Sequence, residues 1–172
     1  MHGIKETSIT LRLIWFVIHT LFLGIAYLIC FDDTFLWIDE ILRVDFNEGN
    51  IYRKSCLLIF GIIMYIRMNI TMLYLLKRKI QFDEFFGVIM AYAIYQIGFV
   101  LLGGWNSSTF DLFDYIGILL FISGSYMNTF SEIQRRRFKK DPLNKGKLYT
   151  LGLFKFSRHI NYFGDICWVT GW

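Results

Sequence analysis

Four separated runs of roughly twenty apolar residues constrain this chain more than any other feature. A hydrocarbon core of ~30 Å is crossed by a helix of ~20 mostly apolar residues, and only a helix satisfies its own backbone inside lipid unless strands close into a barrel. The runs occupy residues 13–31, 55–76, 85–104 and 110–130, and a fifth begins near Ile160 and stops at Trp172. The expected fold class is therefore all-α: a polytopic helical membrane protein in a single membrane domain, with four spans plus a truncated fifth over 160–172. The first run is too long for a signal-peptide core and is followed by acidic Asp32-Asp33, not by a small-residue cleavage site. Charged residues are only 19% of the chain against ~25% in ordinary soluble domains, and 19% aromatics exclude disorder. Cys30, Cys56 and Cys167 lie in or beside apolar runs and read as buried small hydrophobes, not as a disulfide framework.

The net charge of +4 suggests nucleic acid only until the basic residues are placed. The N-terminal segment with Lys5 and Arg12, the Lys77-Arg78-Lys79 turn and the stretch from Arg135 to Arg158 hold 14 of the 18 lysines and arginines. The connection over 32–53, with Lys54, has three basic residues against six acids, and that from Trp105 to Asp114 has none. The positive-inside rule then puts the N-terminus, the Lys77 turn and a basic loop over 131–159 in the cytosol. The membrane would be a bacterial inner membrane or endoplasmic reticulum. The expected partners are the bilayer and a hydrophobic small molecule, and no nucleic acid.

Polar residues within the runs must face protein, water or ligand. Arg67 sits near the middle of the second run, with Thr71 and Tyr74 following at i+4 and i+7, and either a packing ion pair or a ligand contact accounts for it. In the fourth run Gly117, Gly124, Asn128, Ser131 and Arg135 share one helical arc, with Glu132 at its edge. Small residues there permit close helix approach, and the polar end is either a solvated cluster or an anion site. Read as a helix, Arg158, Asn161, Tyr162 and Asp165 fall at i, i+3, i+4 and i+7, placing a cation, an amide, a phenol and a carboxylate on one face that suits a polar ligand. His159 points away from that face, His19 reads as a helix-contact residue and His2 is remote. No histidine, cysteine or carboxylate spacing matches a metal site. Neither a dinucleotide-binding glycine motif, a Walker loop nor a nucleophile elbow is present.

The run from Phe138 to Lys147, FKKDPLNKGK, followed by Gly152-Leu153-Phe154 and by SRHINYFGD from Ser157 to Asp165, resembles the steroid 5-alpha-reductase-like membrane proteins, in particular the DUF1295 branch. Asn128-Thr129-Phe130-Ser131-Glu132 is similar to the Asn-x-x-Ser-acid segment of the steroid reductases. Arg67 and Gln96 sit where that branch has an arginine and a glutamine. The likeness is dense from 128 to 172 and thin from about residue 55. It implies an NADPH-dependent reductase of a C=C bond conjugated to a carbonyl, or of a sterol double bond, with the cofactor held between helices near the cytosolic side. Carried over by motif, Asn128, Glu132, Arg136, Arg158, Asn161 and Asp165 would contact cofactor, and Tyr162 would lie near the nicotinamide or the substrate as a catalytic donor.

Two departures bear on that implication. Ile160 replaces the proline usual after Arg-His, and family members continue for several further helical segments, so the chain is expected to be a fragment, a truncated product, or completed by another chain. An isoprenylcysteine-carboxyl-methyltransferase-like enzyme using S-adenosylmethionine shares an Arg-His-Pro-x-Tyr core and is the alternative, although Asn161 and Asp165 favour the reductase pattern. A non-catalytic membrane or lipid-binding protein is the third reading.

Overall fold

The computed structural model describes residues 9–32, 40, 41, 43 and 49–172. His2, Lys5 and most of the acidic connection over 32–53 lie outside the described residues. Among those described, every regular element is helical. The chain divides into two compact units, residues 1–110 and 111–172.

In the first unit, α1 (Ile9–Phe31) is followed by α2 (Ile51–Asn69), which continues as a π-helical turn over Ile70–Leu75. Then α3 (Phe82–Ala93) passes through a second π-helical turn, Ile94–Gly98, into α4 (Phe99–Gly103). Ile9–Phe31, Ile51–Leu75 and Phe82–Gly103, at 23, 25 and 22 residues, are each long and apolar enough to cross a membrane. Their outer faces carry Leu13, Val17, Leu21, Ile59, Ile66, Phe86 and Met90, all exposed. Such an apolar exterior on helices of this length is that of an integral membrane protein.

The inward faces are set by the helical period. On α1, Trp15 and His19 are fully buried, and the His19 ring lies 4.7 Å from that of Trp15, 5.0 Å from Tyr65 and 5.2 Å from Tyr92. His19 is thus the helix-contact residue expected. Asn50 begins α2 by accepting from the backbone N–H groups of Tyr52 and Arg53 at 2.9 and 3.4 Å, an N-cap that its short amide side chain suits. Toward the other end, Asn69 Nδ2 donates to the Tyr65 carbonyl at 2.9 Å and Thr71 Oγ1 to that of Arg67 at 3.0 Å. Side-chain donors on those carbonyls compete with the α-helical ladder where the wider π-helical turn begins. Arg67 is buried, as expected of a mid-span cation, but Tyr74 is exposed, so the i, i+4, i+7 series Arg67, Thr71 and Tyr74 does not stay on one inward face. The π-helical turn adds a residue to the register and so rotates the residues beyond it about the helix axis.

Arg12, grouped by sequence with the Lys77-Arg78-Lys79 turn, bonds beside that turn and is not left in solvent. It is buried, and its guanidinium donates to the carbonyls of Met72, Leu76 (2.7 Å) and Arg78 (3.2 Å). A cation on carbonyls that a helix end leaves without a ladder partner is favoured by both hydrogen bonding and the helix dipole.

The second unit consists of α5 (Leu112–Lys140), 3₁₀ turns at Pro142–Asn144 and Gly152–Lys155, and α6 (Ile160–Gly171). Asp111 opens α5 with a capping box: its Oδ1 accepts from Phe113 N at 2.8 Å, and Asp114 Oδ2 accepts from Asp111 N at 2.8 Å. The run expected to span over 110–130 is helical and carries Asp114, Ser123, Ser125 and Asn128; it is not one of the three helices long and apolar enough, by length and composition, to cross a membrane. Nor does the helix end near 130. It runs on through Arg135-Arg136-Arg137 to Lys140, so the first ten residues of the expected loop over 131–159 are helix. Glutamine, arginine and lysine propagate a helix well, and the terminal cations oppose its dipole. Pro142 ends it by forcing Asp141 into an extended conformation.

Helices α5 and α6 touch backbone to backbone at Gly124 and Gly164. A Cβ on Gly124 would lie 2.4 Å from Trp168 N and 2.6 Å from the Gly164 carbonyl oxygen. One on Gly164 would lie 2.6 Å from Asn128 N. Only glycine fits such an approach, which is the small-residue packing expected for Gly124.

Candidate functional site

The close approach of α5 and α6 brings polar side chains from both into one hydrogen-bonded network. Asp165 Oδ1 accepts from Asn128 Nδ2 at 2.8 Å and from Trp168 Nε1 at 2.8 Å. Asn128 Nδ2 also donates to the Asn161 carbonyl at 3.3 Å, while Ser131, fully buried, donates to the Asn128 carbonyl at 2.9 Å. One turn further along α5, Glu132 Oε1 accepts from Asn161 Nδ2 at 3.1 Å and Glu132 Oε2 from Arg135 Nη2 at 2.6 Å. The Arg135 guanidinium in turn lies 5.9 Å from the centre of the Phe154 ring. Leu153 N donates to Gln134 Oε1 at 3.0 Å, which fastens the Gly152–Lys155 turn against the basic stretch of α5.

Of the residues singled out by sequence, the structure brings together Asn128, Glu132, Asn161 and Asp165. Two others stand apart. Arg158 precedes α6, whose first residue is Ile160, so it is not on the helical face that the i, i+3, i+4, i+7 spacing implied; it is exposed. Tyr162 is 60% exposed and stacks on His159 with ring centroids 5.7 Å apart. The reason is the packed face of α6: Ile160, Asn161, Gly164, Cys167, Trp168 and Gly171 are buried, which turns Tyr162 about 100° round the helix from Asn161. Arg136 is half-buried and follows Glu132 by four residues on α5. Trp168 is a participant that neither the motif nor the i, i+3, i+4, i+7 spacing names; it follows Asp165 at i+3, a spacing that places it on the carboxylate's side.

Chemically, the network fixes two carboxylates and two amides in defined orientations at the base of a strongly cationic stretch. Held carboxylates can accept from hydroxyl groups, amides can read a carboxamide, and guanidinium groups can pair with phosphate. Asn128, Glu132, Asn161 and Asp165 carry the atoms that could meet hydroxyl and amide groups of a ligand, and Arg136 and Arg158 those that could meet an anion.

Fold and site together define a helical integral membrane protein with a polar network on paired helices beside a basic segment. The chain belongs to the DUF1295 family, whose model, described as a protein of unknown function, matches residues 64–172. It is also similar to the probable O-methyltransferase ustE of Ustilaginoidea virens, with 46% identity over 55 residues. That match covers 32% of this chain and 19% of the relative's length. No solved structure matches the chain.

Proposed function

We propose that this chain contributes the cofactor-binding part of a membrane-embedded, NADPH-dependent reductase acting on a conjugated C=C bond of a lipid or steroid-like substrate. The observation that carries the reading is the interlocked set Asn128, Glu132, Asn161 and Asp165, reached independently by helical spacing and by motif resemblance. NADPH supplies the hydride when bound. The residues of this chain bind and orient it: Arg158 and Arg136 neutralise phosphates, and the carboxylates and amides fix ribose and carboxamide. Tyr162, exposed beside His159, offers a hydroxyl donor toward substrate. Topology follows the charge pattern, with the basic stretch and the cofactor on the cytosolic side.

A second reading rests on the relative named as a probable O-methyltransferase. In it the same carboxylates and amides hold S-adenosylmethionine. Equilibrium titration of the purified protein with both cofactors separates the two. Saturable NADPH binding, with S-adenosylmethionine failing to compete, supports the reductase. The opposite preference replaces it with a methyltransferase.

A further inference from the structure

The end of α5 and the segment that joins it to α6 have a composition of which the cofactor reading uses only Arg136 and Arg158. From residue 133 to 158 there are nine lysines and arginines, and Asp141 is the one acid. Interleaved with these cations, Leu143, Leu148, Leu151 and Phe156 are 79, 64, 64 and 79% exposed. A water-facing loop gains nothing by presenting four large apolar side chains, whereas the headgroup–acyl boundary of a bilayer accepts both kinds of residue at once.

The segment is also built, not slack. Asp141 Oδ1 accepts from Leu143 N at 2.9 Å, Asn144 Nδ2 donates to the Phe138 carbonyl at 3.0 Å, and Lys147 N donates to the Asn144 carbonyl at 3.0 Å. Gly146 turns the chain with φ +80°, a left-handed conformation that favours glycine. These bonds engage the local backbone and one Asp141 oxygen, and Lys139, Lys145 and Lys147 line an open cleft of about 520 Å³ with Asp141, Pro142, Asn144 and Gly146, three cations to one carboxylate.

We propose that this segment is a membrane-surface docking element, in which the cleft of Lys139, Lys145 and Lys147 takes the phosphate of an anionic phospholipid headgroup while Leu143, Leu148, Leu151 and Phe156 enter the boundary beneath it. Charge complementarity selects an anionic lipid, and the flanking apolar side chains select a lipid over a free phosphate, which has no use for them. The proposal rests on the membrane-embedded character of the chain and not on the identity of its cofactor.

The test uses the full chain in detergent, titrated by native mass spectrometry with dioctanoyl phosphatidylglycerol, dioctanoyl phosphatidylcholine and inorganic phosphate. Three lysines beside one headgroup predict a preference for phosphatidylglycerol over phosphatidylcholine of roughly a hundred-fold at low salt, shrinking as salt rises. The combined variant Lys139→Gln, Lys145→Gln, Lys147→Gln alters only exposed positions, so its circular dichroism should match wild type while the preference disappears. Leu148→Ser with Phe156→Ser should weaken both lipids together. Equal binding of the two lipids overturns the proposal, as does a preference that survives the triple lysine variant. So does lipid binding indifferent to the serine pair, or displacement of phosphatidylglycerol by an equal concentration of inorganic phosphate or NADPH. Failure of NADPH to bind at all would remove the reductase reading and leave this one standing.

Discussion

Asp165 gathers two donors onto one oxygen, Asn128 Nδ2 from α5 and Trp168 Nε1 from its own helix. Hydrogen bonds to a charged acceptor contribute ~1.5–3 kcal/mol each in favourable surroundings, and their loss leaves half-buried donors unsatisfied. Asp165→Ala should therefore destabilise the protein by about 2–4 kcal/mol, while Asp165→Asn, which keeps an oxygen acceptor, should cost about 1 kcal/mol. Thermal unfolding in detergent checks the order, and equal losses for the two variants would show that charge, not hydrogen bonding, is what the site uses. Of its partners Asn128 was legible, because Asn161 and Asp165, like Asn128 and Glu132, repeat at four-residue spacing, whereas Trp168 was not. Arg12 was not legible. Its acceptors lie 60 to 66 residues away and are backbone carbonyls, which leave no side-chain signature in a sequence.

At the level of elements, the α5–α6 pair depends on glycine. Gly124→Ala places a methyl group 2.4 Å from a backbone nitrogen that cannot rotate away, so the helices must separate and the Asn128–Asp165 bond must lengthen. Overpacking of this kind typically costs ~1–3 kcal/mol. Gly24→Ala in α1 meets nothing within 4 Å and should be neutral or stabilising by roughly 0.5–1 kcal/mol, since alanine is the better helix former. Paired unfolding measurements test the contrast, and a Gly124→Ala variant as stable as wild type would contradict the close crossing. Hydrophobic runs located α1, α2 and the α3–α4 body to within a few residues. They could not reveal the continuation of α5 to Lys140, because a run ends where charge begins whereas a helix of arginine, lysine and glutamine does not. The two π-helical turns were equally hidden, since they arise from side-chain competition for particular carbonyls.

For the whole molecule, apolar length and composition were sufficient to give an all-helical membrane protein, because lipid permits so few alternatives. Orientation is a separate matter and rests on charge. With the basic stretch in the cytosol, cysteines introduced at Lys79 and Lys145 should resist a membrane-impermeant thiol reagent in intact cells, while one at Asn47 reacts. The reverse pattern would move both the lipid-docking segment and the polar network to the other face. The candidate site was legible only as a set of residue types with compatible spacing. Asn161 and Asp165 meet their α5 partners as the period suggested, whereas the packed face of α6 carries Tyr162 away and the helix start leaves Arg158 outside. The measurement that bears most directly on the cofactor claim is NADPH affinity in Arg158→Ala and Asn161→Ala, set beside wild type and Phe163→Leu on the exposed side of α6. Losing a charge-assisted contact predicts a roughly ten- to hundred-fold weaker affinity for Arg158→Ala, losing a neutral hydrogen bond roughly two- to ten-fold for Asn161→Ala, and Phe163→Leu should change almost nothing. Equal NADPH affinity in all four proteins would reduce the network to helix packing and contradict the account.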